Sequence, residues 1–318
     1  MHRQFVKYIH VIIFLLLLLT TWNSSYNPFL DQNIKNNKNI METMKHDDPL
    51  YQEIKSKSKQ FNQSPQDAYI DRVWKKTPGL NGLKVNVSKS YEQMKEDEQF
   101  DANKLVYDQI KPKVTLKDLP ASPIYRGNPD KNMVALMINV SWGTEHIPDI
   151  LKTLKENNVK ATFFIEGKWA KEHAEYAKMI AKEGHLIGNH AYNHPNMARM
   201  SSQQITEQIT KTNEIIEAII EKKPRYFAPP SGSFSDQVVQ VAHRLQMETI
   251  LWTVDTIDWK KPSVSVMMNR VMSKLHPGAT ILMHPTPSVS KGLDPLIKGI
   301  KEKGYKLGTL DKLLSPER

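Results

Sequence analysis

The chain has 318 residues, room for one domain of about 200 residues and something smaller, and its 39% hydrophobic and 25% charged residues exclude a fibrous or wholly disordered protein. Cysteine is absent, which rules out disulfides, thiolate metal sites and a thiol nucleophile, so that a metal must be held by His, Asp, Glu or Asn. The net charge of +10 favours anionic neighbours such as lipid headgroups or wall polymers, while lysines spread along the chain without an accompanying motif speak against nucleic acid.

Arg3 and Lys7 precede an apolar stretch over residues 8–19, a positive n-region and a short h-region. The stretch is shorter than the ~20 residues of a membrane span, and no small-x-small cleavage site follows it. Residues 1–23 are therefore read as a signal peptide or membrane anchor, which makes the protein exported and cell-wall facing. Residues 24–63 are rich in Asn, Gln, Lys and Asp without a sustained period, the composition of a flexible polar stalk. Residues 64–120 predict a small α/β accessory domain, with a helix starting at 68–75, a strand at 83–87, a helix at 91–96 and a proline-bounded strand at 111–119. A proline-containing linker at 121–130 leads into the main domain, 131–314, and residues 315–318 form a tail.

From residue 131 onward strands and helices alternate. Strands are expected at 134–140, 161–165, 186–189, 226–228, 249–254 and 279–283. Helices are expected at 147–154, 168–182, 202–222, 235–245, 263–275 and 294–303, with Gly184 and Pro224 as stops. That alternation implies parallel strands joined by crossover helices, either a (β/α) barrel or a doubly wound sheet. In both, functional residues fall just past the C-terminal ends of strands.

His190 and His194 lie there, four residues apart after a strand, and share one side if the segment makes a helical turn. Alone, such a pair is more often structural than ligating. His284 after a late strand, and Asp255 and Asp258 after another, would converge on the same barrel mouth.

In chain order, the strand beginning Val134-Ala135-Leu136, then Lys160-Ala161-Thr162-Phe163-Phe164, Gly188-Asn189-His190 with His194, Pro229-Pro230-Ser231-Gly232, Asp255 with Asp258-Trp259, and Leu282-Met283-His284 resemble the sequential motifs of NodB-type polysaccharide deacetylases, carbohydrate esterase family 4. The resemblance covers roughly residues 131–314 and implies a distorted (β/α) barrel. It implies a divalent metal, zinc or cobalt, and hydrolysis of the N-acetyl amide of cell-wall sugars, on peptidoglycan, chitin-like polymer or spore peptidoglycan. Carried over by position, His190 and His194 bind the metal, His284 is the acid, Asp255 lies in the block that supports the catalytic charges, and Trp259, Leu282 and Pro230 belong to the substrate pocket.

The departures are specific. Asn139-Val140 stands where the family has two aspartates, followed by Ser141-Trp142-Gly143, a tail similar to the sporulation-associated branch. Ala228 replaces the family's Arg. An amide accepts no proton at neutral pH, although the Asn139 carbonyl can still bind a metal weakly. Two functions follow. One is a slow deacetylase with Glu166, Asp255 or Asp258 as substitute base. The other is a glycan-binding scaffold that stacks sugar rings on Trp142, Tyr192 and Trp259.

Overall fold

The computed structural model describes residues 11–16 and 47–318. The apolar run at 8–19 and most of the predicted stalk lie outside these residues. Among the described residues no helix is long and apolar enough to cross a membrane.

From residue 47 onward the chain forms two compact units, one up to residue 62 together with 84–108, the other 63–83 with 109–318. In the first unit, α1 (Pro49–Phe61) lies within the segment expected to be an unstructured stalk. Its start is set locally: Asp48 accepts the Leu50 and Tyr51 N–H groups, and Pro49 opens the first turn. Leu50 and Ile54 then bury against Val85, Met94 of α2 (Val87–Met94) and Leu105, and the Tyr91 hydroxyl donates to Asp48 at 2.8 Å.

The second unit takes in residues 63–83, so the accessory region is not one continuous block. Where a helix start was expected, β1 (Tyr69–Asp71) and β2 (Lys75–Thr77) form an antiparallel hairpin. The Asp71 carboxylate turns it by accepting Val73 N–H and Trp74 N–H. Fully buried Lys76 pairs with both Glu248 oxygens at 2.8 Å, an arrangement tertiary structure imposes and local propensity does not signal. Strands β3 (Gly82–Val85) and β4 (Tyr107–Ile110) lie where the chain passes from one unit to the other. The strand expected at 111–119 is replaced by a short 3₁₀ turn, Leu116–Asp118.

The main body is a curled parallel sheet with helices packed on its outer face, a distorted (β/α) barrel as expected. Its strands are β5 (Met133–Val140), β6 (Thr162–Ile165), β7 (Leu186–Asn189), β8 (Tyr226–Phe227), β9 (Glu248–Thr249), β10 (Val254–Asp255), β11 (Thr280–Met283) and β12 (Lys306–Gly308). They run in the order β10-β11-β5-β6-β7-β8-β9, and β12 pairs with the first residues of β5. The outer residues of β5, Val134, Leu136, Ile138 and Val140, pack in one core with Phe163, Ile165, Ile281 and Met283. Helices α3 (Ile147–Glu156), α4 (Gly167–Glu172), α5 (Ala174–Lys182), α6 (Ser202–Ile220), α7 (Asp236–Arg244), α8 (Val264–Lys274), α9 (Pro287–Glu302) and α10 (Leu310–Leu314) connect or follow the strands. The inward residues Ala135, Met137, Phe164, Tyr226 and Ile250 fill the barrel with Ile124 and Leu313. Gly188 is required there, because a Cβ at that position would lie 2.5 Å from the Phe164 ring.

The single strand expected at 249–254 is two separate strands, β9 and β10, and the helix expected at 168–182 breaks at His173.

Candidate active site

The C-terminal ends of β5, β6, β7 and β11 meet at one rim. In register, Asn139 lies beside Phe164, Ile165 beside Asn189, and Ile138 beside Met283. The ladder runs one step further: Glu166 N–H donates to Val140 O at 2.9 Å, and His190 N–H to Ile165 O at 3.0 Å. Because side chains alternate along a strand, the inward parity of Met137 and Phe164 also turns Asn139, Glu166 and His190 inward. The same parity on β11 turns Leu282 and His284 inward.

His190 is 1% exposed, and its Nδ1 lies 2.7 Å from the Ala228 carbonyl oxygen. A carbonyl only accepts, so Nδ1 carries the proton and Nε2 keeps a free lone pair. Burial pulls the His190 pKa down to about 3, helped by the charges of His194 and His284 and opposed by the Ala228 bond. His194 is exposed, and its ring centroid is 5.3 Å from that of His190. Its pKa is lowered by partial burial and by His284. No helical turn joins the pair, since Ala191 and His194 take positive φ of 59° and 56°.

His284 is held by Asp258, which is fully buried. One Asp258 oxygen is 2.8 Å from His284 Nδ1 and the other accepts the His284 backbone N–H at 2.6 Å. With both oxygens engaged, Asp258 orients the imidazole and is not free to act as the substitute base. The turn presenting it is strained at Ile257 and Lys261, with φ of 51° and 53°. Trp142 stacks on the other side of His284, ring centroids 5.9 Å apart and planes within 9°. Gly143 brings these loops together: its φ is +73°, and a Cβ there would fall 2.0 Å from the Pro285 carbonyl oxygen.

Asn139 is 4% exposed and its Oδ1 is buried without a hydrogen-bond partner. Glu166 follows it in the inward row, and burial raises its carboxyl pKa, with Ser141 and Lys168 opposing. Asp255 spends an oxygen on Ile257 N–H at 2.8 Å. Trp142 and Trp259 are 46% and 51% exposed, Trp142 with one face on His284 and Trp259 with the Lys260 ammonium 5.0 Å from its ring centroid. Tyr192 is instead covered by the Lys211 ammonium, 3.6 Å from its ring centroid. Pro230 is buried in the turn after β8, and Leu282 is buried on β11. The backbone carbonyl of Ala228 is the functional group that the sequence could not disclose.

A polysaccharide deacetylase family profile matches residues 126–250. The peptidoglycan-N-acetylglucosamine deacetylase of Bacillus cereus is 36% identical over 200 residues, 61% of this chain and 72% of that protein. This chain belongs to the polysaccharide deacetylase family. Within the family it is also similar to the uncharacterized protein YlxY of Bacillus subtilis, 48% identical over 319 residues, all of this chain and 99% of that one. Among solved structures it resembles BA3943 of Bacillus anthracis, described as a pseudoenzyme of carbohydrate esterase family 4, at 52% identity and TM-score 0.83 over 84% of this chain and 95% of that one. A BA3943 mutant with restored enzymatic activity matches at 51% identity and the same TM-score, 0.83, over 84% of this chain and 98% of that one.

Deacetylases of this family are generally metal-dependent, and the residues here meet that requirement in part. His190 is neutral with a free Nε2, His194 is beside it, and the Asn139 oxygen is a buried acceptor lacking a donor. Among the described residues no group of three or more His, Cys, Asp or Glu is arranged to hold an ion. The available set is two imidazoles and an amide, all neutral, which would hold a divalent metal more weakly than a set with a carboxylate.

Proposed function

We propose that the protein engages N-acetylated peptidoglycan at this rim, outside the cytoplasm, and hydrolyses the N-acetyl amide slowly because the proton-accepting half of its site is missing. Residues 1–23 direct it out of the cytoplasm, as a signal peptide or as a membrane anchor. The carrying observation is Asn139, an amide where the family has a carboxylate, set beside a His284–Asp258 pair with both carboxylate oxygens in use.

Asp258 fixes the Nδ1 proton of His284, so Nε2 is the atom that takes up, by way of solvent, the proton shed by the attacking water and passes it to the departing amine. Trp142 limits the ring's rotation by stacking on it. Asn139 orients a water through its Oδ1 but cannot take its proton. Loss of a positioned base costs about 10²- to 10⁴-fold in rate. His190, His194 and Asn139 would hold a divalent metal, which would supply polarisation of the N-acetyl carbonyl. The exposed rings of Trp142 and Trp259 stack sugar faces, and Leu282 and Pro230 line the pocket.

A second reading, a scaffold that binds glycan and does not hydrolyse it, is favoured by the description of BA3943 as a pseudoenzyme. Acetate release from N-acetylated peptidoglycan with added zinc or cobalt separates the two, measured for the natural protein and for His190→Ala. Slow release abolished by His190→Ala supports the hydrolase. Equal silence with undiminished glycan pull-down supports the scaffold, and absence of both release and binding overturns the proposal.

A further inference from the structure

The opposite end of the sheet carries a feature that deacetylation does not use. Just before β7 and β8 lies a cavity of about 610 Å³ lined by Lys182, His185, Lys222, Lys223 and Arg225. A second cavity, about 620 Å³, adjoins it, shares Lys223 and Arg225, and adds Lys117, His243 and Glu248, the last already paired with Lys76. Lys182 ends α5, and Lys222 and Lys223 directly follow α6. Cations at helix C-termini are an ordinary response to the helix dipole, and that alone would define no site. What the dipole does not explain is the missing partners. Among the described residues none of Lys182, Lys222, Lys223 and Arg225 makes an ion pair, whereas nearby Glu183 and Glu248 are already paired with Lys155 and Lys76.

His185 gives the second, independent observation. It lines the first cavity and is 7% exposed. Its Nδ1 accepts the Ala161 N–H at 3.1 Å, so the neutral ring must carry its proton on Nε2. That N–H is buried without a partner. Burial and the charge of Lys160 bring the pKa of His185 down to about 4, which keeps the ring neutral at neutral pH. The cavity therefore pairs unneutralised cations with an unsatisfied neutral donor, and an anionic oxygen is the group that answers both.

We propose that these adjoining cavities are a binding site for the phosphate groups of an anionic polymer, separate from the rim that carries Asn139 and His284. Two recesses sharing a cationic ridge suit a chain bearing successive phosphates better than a single small anion. None of the exposed large hydrophobic side chains lines either recess, which disfavours a bilayer surface as the occupant.

The test uses the full chain with inorganic polyphosphate as probe, followed by calorimetry, with anionic phosphatidylglycerol vesicles in parallel. Saturable, salt-sensitive binding is expected. Lys222→Glu with Lys223→Glu should weaken it by about tenfold or more. The matched reversal Lys171→Glu with Lys274→Glu, on exposed positions elsewhere, should leave it within about twofold. The Nε2–H resonance of His185 should shift on titration with inorganic phosphate in the natural protein. Equal weakening by both double reversals, a His185 signal that does not move, or binding to vesicles alone would each overturn the proposal. Glycan binding and acetate release are unaffected in the Lys222 and Lys223 variant, so failure here is distinct from failure at the rim.

Discussion

Replacing Asn139 by Asp restores one oxygen and one negative charge with almost no change of shape, so its effect isolates the chemistry of the missing base. A positioned base is worth about 10²- to 10⁴-fold, and the structure sets where in that range the gain falls. The site is buried, with Asn139 only 4% exposed, and position 228 offers a methyl group where a guanidinium would lower a carboxyl pKa. The neighbouring carboxyl, Glu166, is already raised by burial, and a second acid beside it disfavours ionisation of both. Each unit by which the new pKa exceeds the assay pH removes about tenfold of the active form. The expected gain in acetate release is therefore about 10²-fold near neutral pH, increasing further as pH rises by one to two units. The assay is zinc-supplemented acetate release from N-acetylated chitooligosaccharides across that pH interval, with glycan affinity measured alongside. An unchanged rate at every pH, with glycan affinity and zinc loading intact, would refute the reasoning that base loss is what limits this site.

Three further outcomes follow from the geometry. Asp258→Asn turns one of two acceptors into a donor facing an N–H of His284, which should cost about 1–3 kcal/mol in chemical denaturation and remove whatever acetate release the Asn139→Asp protein shows. Gly143→Ala meets both a φ of +73° and the Pro285 carbonyl, so it should destabilise by at least about 1–2 kcal/mol and broaden the His284 ring signals by loosening the loop pair. His185 has a folded pKa of about 4 against an unfolded value of 6.5, so the unfolded chain binds more protons between them. Stability is then lost as pH falls through that window, by up to about 3 kcal/mol. His185→Gln should flatten the slope between those values, and an unchanged slope would contradict the burial of this ring.

Much of the main domain could be read directly, because each buried strand is a short apolar run followed by a helix with one apolar face. The runs at 134–140, 161–165, 186–189 and 279–283 correspond closely to β5, β6, β7 and β11. Elements fixed by distant partners were not legible. The β1–β2 hairpin has strands of three residues, too short for a period, and depends on Glu248 to neutralise Lys76. Helix α1 offers only Leu50, Tyr51 and Ile54 as buried positions in a polar sequence, and its readable signal was the Asp48-Pro49 start. At the site, the spacing of His190 and His194 pointed to the right pair by the wrong route. They come together through two positive-φ residues and not through a helical turn. The orienting Ala228 carbonyl carries no residue-type signal at all, since any side chain could occupy that position.

The two departures from the family pattern make sense electrostatically only as a pair. A buried carboxylate held by a guanidinium is close to neutral as a unit, and removing one member strands a charge that costs about 3–5 kcal/mol. Asn139 and Ala228 remove both charges, and the space is taken without strain: Ala228 is 3% exposed within the barrel core while its carbonyl still holds His190. What remains is a residual oxygen, Oδ1 of Asn139, buried without a donor, which a bound cation or an acetamide N–H would satisfy. The fold therefore loses little by giving up the base, while His190, His194 and the His284–Asp258 pair keep their places around it. A variant with both Asn139→Asp and Ala228→Arg should accordingly surpass Asn139→Asp alone in acetate release, with its pH dependence moved to lower pH as the guanidinium pulls the carboxyl down. Loss of folding in the double variant, read against retained folding in Asn139→Asp, would instead show that the core around Ala228 leaves no space for an Arg side chain.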